Sequence, residues 1–119
     1  MKTVHVSELT DAALDWAVAK CEGEDEENTL DPLTWIYTAK PTGCWDFSTD
    51  WSQGGPIIER ENISTCWEGT IWVATRFNKN CGETWFGHQY GSTPLIAAMR
   101  CYVASKLGDE VEIPDELAF

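Results

Sequence analysis

At 119 residues the chain fits one domain, long enough to bury a core without obligatory disulfides or a structural metal. Apolar residues make up 43% of it, which excludes a wholly disordered chain, and no apolar run approaches membrane-spanning length. The 20 Asp and Glu outnumber 8 Lys and Arg for a net charge of −12, which repels a phosphate backbone and argues against direct nucleic-acid binding.

Met1 to Val6 alternates apolar and polar positions, as a short strand does. Thr10 then stands as a helix N-cap, Asp11 suits the positive end of the helix dipole, and Leu9 with Leu14 has the spacing of a hydrophobic staple. Leu14, Ala17, Val18 and Cys21 share one helical face, and Gly23 is placed as the stop. The acidic run from Glu22 to Asp31 has almost nothing to bury and reads as a solvated loop; it lacks the spacing and central glycine of an EF-hand. The β-formers of Thr34-Trp35-Ile36-Tyr37-Thr38-Ala39 predict a strand that ends at the Lys40-Pro41-Thr42-Gly43 turn, and Cys44 to Phe47 a second short one.

Ser48 to Gly55 reads as loop, with Gly54-Gly55-Pro56 as a backbone excursion, and Ile57 to Glu59 as extended chain. Cys66 to Thr75 reads as a hairpin about Glu68-Gly69 followed by a strand, Asn78 to Gly82 as a turn, and Thr84 to His88 as the last central strand. A second helix starts at Thr93, with Pro94 at its first position, and ends at Gly108. Its apolar stripe is Ile96, Met99, Val103 and Leu107, widened by Leu95 and Tyr102. The acidic tail from Asp109 to Phe119 is placed to lie against the body through Val111 and Ile113. With no internal repeat and no linker, residues 1–119 read as one α+β domain, an antiparallel sheet of about four to five short strands packed by an N-terminal and a C-terminal helix.

Three strings within this order resemble a known family. Leu14-Asp15-Trp16-Ala17-Val18-Ala19, the stretch from Ser48 to Glu61 (STDWSQGGPIIERE) and the stretch from Thr93 to Val111 (TPLIAAMRCYVASKLGDEV) are similar to the NinX-like proteins of tailed phages and prophages. The resemblance runs nearly end to end. It departs at Ser92, where the family usually carries a proline, and over Asn62 to Tyr90. It implies a phage accessory protein in the host bacterial cytoplasm and supplies no mechanism.

Asp50, Trp51, Gln53, Gly54, Gly55 and Arg60 form the first candidate ligand-binding set. The Gly-Gly pair admits a ligand to backbone amides, Trp51 offers a stacking face, and Gln53 and Arg60 can read polar or anionic edges, as a nucleotide-like ligand requires. The plainer alternative is a structural turn with a core tryptophan and an Arg–Glu surface pair. Neither G-x-x-x-x-G-K nor G-x-G-x-x-G occurs. Arg100 lies between Ile96 and Val103 on the helical wheel, so its stem runs along the apolar face toward a ligand anion or toward the carboxylate of Asp50 or Glu59. Seven tryptophans exceed what a small core needs and suit a pocket or an interface, including that of a homodimer; Trp16 and Trp72 are the leading core positions.

Catalysis finds little support. Cys81 with His88 offers a nucleophile and base, and Asp46 with Asp50 offers paired carboxylates, but no third group or oxyanion motif accompanies either. No catalytic residue, metal ligand or cofactor is assigned. The five cysteines have no C-x-x-C spacing and read as free, largely buried thiols of a reducing cytoplasm. The expectation is a phage protein that acts by binding, as a counter-defence factor that sequesters a nucleotide-like signal or inhibits a host protein. The alternatives are an acidic nucleic-acid mimic that blocks a basic host surface and a small nucleotide-processing enzyme.

Overall fold

The computed structural model describes residues 2–9, 11–22, 46–78 and 84–113. Among these the element order is β1 (Lys2–His5), a 3-10 turn (Val6–Glu8), α1 (Asp11–Cys21), α2 (Trp51–Arg60), β2 (Ile63–Trp67), β3 (Trp72–Asn78), β4 (Thr84–Gly91), α3 (Pro94–Leu107) and β5 (Glu110–Ile113). The class is α+β and the pairings are antiparallel, as expected. The five strands divide between two sheets, one ordered β1-β5 and the other β2-β3-β4.

α3 is the hub on which the other elements pack. Thr93 caps it by accepting the Ile96 N–H at 3.1 Å, and Pro94 occupies the first position. At the other end Gly108 adopts φ 93° and donates its N–H to the Ala104 carbonyl. Leu95, Ala97, Ala98, Met99, Cys101, Tyr102, Val103 and Ala104 are all buried, the signature of a helix with neighbours on several sides. The apolar stripe is therefore broader than periodicity predicts, while Leu107, expected within it, is 48% exposed. The end of β4 presses directly on the first turn of α3. A Cβ at Gly91 would stand 2.6 Å from the Ala97 nitrogen.

α1 adds Leu14, Trp16, Ala17 and Val18 to the same core. β5 pairs with β1 in the register Val4 opposite Val111, and Val111 and Ile113 turn inward as the tail's pattern predicts. The β2–β3 hairpin turns where expected: Glu68 donates its N–H to the Ile71 carbonyl, and Gly69 supplies the positive φ of 95°. Ile63 and Ala74 enter the core. A register shift between Ala74 and Arg76 marks a bulge against β4, and Arg76 reaches the Ser105 hydroxyl of α3 at 3.2 Å.

The segment from Ser48 to Glu59 is the main correction. In place of loop and extended chain it forms a turn over residues 47–49 followed by α2. Asp50 accepts the Ser52 N–H at 2.9 Å as N-cap, and Gln53 stands three positions on, the D-x-x-Q form of a helix-start signal. Pro56 forfeits one helical hydrogen bond, but Gly55 before it has no Cβ to clash with the proline ring. Ile57 is buried and Ile58 packs partly against the core. Asn62, at φ 57°, then turns the chain into β2 in a conformation that asparagine tolerates. Asp46 and Phe47, expected to end a short strand, lie instead in irregular chain and turn. The predicted strand at residues 34–39, the acidic run beyond Glu22, the turn after Asn78, Thr10, Gly23, Cys44 and Cys81 lie outside the described residues.

Candidate functional site

The start of α2 is fastened to α1. Ser48 donates its N–H to Oδ1 of the buried Asp15 at 2.9 Å. Gln53 bridges turn and cap, accepting the Asp46 N–H at 2.8 Å on Oε1 and donating from Nε2 to Asp50 Oδ2 at 3.3 Å. Asp50 also accepts the Ser52 hydroxyl at 2.7 Å. Asp50 and Gln53 thus build the helix start. At Gly54 a Cβ would stand 2.5 Å from both the Phe47 carbonyl oxygen and Leu95 Cδ1, so the missing side chain is taken up by packing of α2 against the turn and α3.

Trp51 opens α2 and is 54% exposed. It stands at a cleft of about 180 Å³ lined by Ser48, Thr49, Trp51, Thr93, Leu95 and Ile96, where the first turns of α2 and α3 meet. Leu95 and Ile96 supply apolar surface, and the two threonines supply exposed polar ones. Ser48 is only 2% exposed, and its hydroxyl has no hydrogen-bond partner. Leaving such a group unpaired costs about 1–3 kcal/mol, so Ser48, a residue of the cleft wall, holds a covered donor and acceptor that folding does not use.

The two arginines lie elsewhere. Arg60 ends α2, about 14 Å along the helix axis from Trp51. Its guanidinium grips Glu22 through Nη1 at 3.1 Å and Nη2 at 2.5 Å, reaches Glu61 through Nε at 2.7 Å, and donates to the Tyr102 hydroxyl at 3.2 Å. Tyr102 in turn donates to Glu22, while Arg76 and Lys106 approach Glu61 at 2.5 and 3.7 Å. Burial by itself would raise the Glu22 and Glu61 carboxyls. Hydrogen bonds from Arg60, with Tyr102 added at Glu22, and the surrounding cations outweigh it and hold both below the ordinary carboxylate value. Burial pushes the neighbouring Cys21 thiol up to about 12, which removes it as a nucleophile at neutral pH. Arg100 donates from Nε to the Leu9 carbonyl at 3.0 Å and from Nη1 to the Tyr90 carbonyl at 2.6 Å, so its partners are backbone oxygens rather than Asp50 or Glu59.

Asp50, Trp51, Gln53, Gly54 and Gly55 are therefore brought together at the start of α2, and Arg60 and Arg100 are not part of that group. Ser48, Thr49, Thr93, Leu95 and Ile96 were not selected from the sequence. The one available signal is that all five fall in strings carrying the family resemblance. Trp16 lies in the core, Trp72 packs partly against it, and Trp67 is exposed with its ring tilted on Trp72 at 5.5 Å. His88 is exposed beside the Tyr90 ring. Among the described residues no cluster of His, Cys, Asp and Glu could hold a metal, and no helix is long and apolar enough to cross a membrane.

A comparison with curated proteins gave no match. The family model described as Bacteriophage P22, NinX matches residues 5–106, which takes in α1, the whole cleft and nearly all of α3, and the chain belongs to this family of phage accessory proteins.

Proposed function

We propose that this phage accessory protein acts by binding, as a counter-defence factor in the host cytoplasm that sequesters a small nucleotide-like signal at the Trp51 cleft. The observation that carries the reading is the pairing of an exposed tryptophan with a cleft whose buried Ser48 hydroxyl is unpartnered. Large aromatic rings ordinarily contribute most by being buried, and one held at the mouth of a cleft is available for stacking. A panel of nucleotides tested by thermal shift checks it. A ligand at 100 times its Kd adds about 2.7 kcal/mol to the native state, and the resulting rise in melting temperature should vanish in Trp51→Ala.

A second reading, inhibition of a basic host protein, is favoured by the charge arrangement. Arg60, Arg76 and Lys106 converge on Glu22 and Glu61, whereas Glu59, Glu68, Asp109 and Glu112 are exposed. The outward charge is then strongly negative, which suits a basic surface. No thermal shift with any nucleotide, together with salt-sensitive binding of a basic host protein that survives Trp51→Ala, would replace the first reading with the second.

A further inference from the structure

We infer that the Trp51 cleft reads the base of its ligand and leaves the phosphates in solvent, so that a nucleoside binds as well as its nucleotides. The inference rests on the small-ligand reading above. Size is the first ground. At about 180 Å³ the cleft falls below the roughly 300–1,000 Å³ of pockets that enclose a drug-sized ligand, so it admits one planar ring system. Such a ring has Trp51 to stack on and Leu95 and Ile96 for apolar contact. The Ser48 hydroxyl is covered and unpaired; once a ligand displaces its cover it can donate and accept, and a nucleobase edge offers both partners. The Ser48 N–H is already committed to Asp15, so of that residue's two donors the hydroxyl is the unpaired one.

The second ground is that both helix starts, which could otherwise grip a phosphate, have most of their first amides taken. In α2 the Ser52 N–H goes to the Asp50 carboxylate, and the Gln53 and Gly54 N–H groups go to the Asp50 carbonyl. In α3 Pro94 has no N–H, the Ile96 N–H goes to the Thr93 hydroxyl, and the Ala97 N–H to the Thr93 carbonyl. A helix N-terminus binds phosphate through free amides and its positive dipole end. Here the Ser52, Gln53, Gly54, Ile96 and Ala97 amides are engaged, which leaves at most the single amides of Trp51 and Leu95, and the Asp50 carboxylate adds a negative charge beside them. Arg60 and Arg100 are held by other partners, so neither guanidinium compensates.

The test titrates the full chain with adenosine, guanosine, cytidine and uridine and with their 5′-mono- and triphosphates. Calorimetry gives affinity, and the tryptophan indole N–H resonances in the NMR spectrum give location, with Trp51 assigned by its loss in Trp51→Ala. The expected result is saturable movement of the Trp51 resonance by at least one nucleoside. Its phosphorylated forms should bind within about threefold or more weakly, and Ser48→Ala should weaken binding about tenfold without lowering the melting temperature. A triphosphate more than about tenfold tighter than its nucleoside, or undiminished binding by Ser48→Ala, overturns the inference. If no nucleoside binds but indole or N-acetyltyrosinamide moves the Trp51 resonance, base recognition is wrong while the cleft remains a binding site. If no probe moves it, the binding reading falls as well.

Discussion

Replacing Gly54 by alanine sets two opposing effects against each other, and the described packing fixes which prevails. Alanine favours a helix interior over glycine by about 0.8–1.0 kcal/mol, so propensity alone predicts stabilisation. The added Cβ, however, meets Leu95 Cδ1 and the Phe47 carbonyl oxygen at 2.5 Å, far inside the roughly 3.5–4.0 Å of an ordinary contact. Leu95 can swing aside. The Phe47 carbonyl cannot easily do so, because its turn is fixed by the Ser48 N–H on Asp15 and by the Thr49 and Asp50 N–H groups on the Asp46 carbonyl. Overpacking costs about 1–3 kcal/mol, and a backbone obstacle puts this site in the upper half of that range. The net expectation is a loss of about 1–2 kcal/mol, or a melting temperature lower by about 4–10 °C for a domain of this size. Circular-dichroism melts and urea titrations of the wild type and Gly54→Ala measure it. An unchanged or higher melting temperature would show that α2 does not press on the turn in the way described.

Arg100→Met keeps the apolar stem but removes both donations to the Leu9 and Tyr90 carbonyls, and should cost about 1.5–3 kcal/mol. The partners are neutral oxygens, so the loss should be similar in low and high salt; a loss that disappears in high salt would point to a carboxylate partner instead. Glu22 and Glu61 have folded pKa values below the ordinary 4.5, so their contribution is full above that value and is lost as pH falls through the lowered ones. The melting temperature should therefore decline on acidification below about pH 4.5, and less steeply in a Glu22→Gln, Glu61→Gln double variant that starts less stable at neutral pH.

α1, α3, the β2–β3 hairpin and β4 were legible in the sequence because their signals are local. Thr93-Pro94 opens a helix and Gly108 closes one, and Glu68-Gly69 sits between two runs of β-formers. α2 was misread because Gly54-Gly55-Pro56 is an unfavourable helix interior by composition, although Asp50-x-x-Gln53 announced its start. Its stability comes from packing on α3, which propensity does not contain. The Arg–Glu pair named as the plain alternative is present at Arg60, but one partner, Glu22, comes from the far end of α1 and the tryptophan is exposed. The cleft was not legible at all. It depends on Ser48 being drawn onto Asp15 and on two distant helix starts meeting, and an unpaired hydroxyl leaves no mark in a sequence.

The β1–β5 ladder has a mechanical consequence. Lys2 lies opposite Ile113, so the chain preceding one and the chain following the other leave from the same end of the pair. Tension applied to these two flanks peels the ladder one hydrogen bond at a time, a far weaker arrangement than shearing both strands along their length. The pairing also closes the longest loop in the fold, which makes it the natural first unit to open. An unfolding machine gripping either flank would therefore meet its least resistance at once, and only afterwards the helix α3 on which the core is assembled.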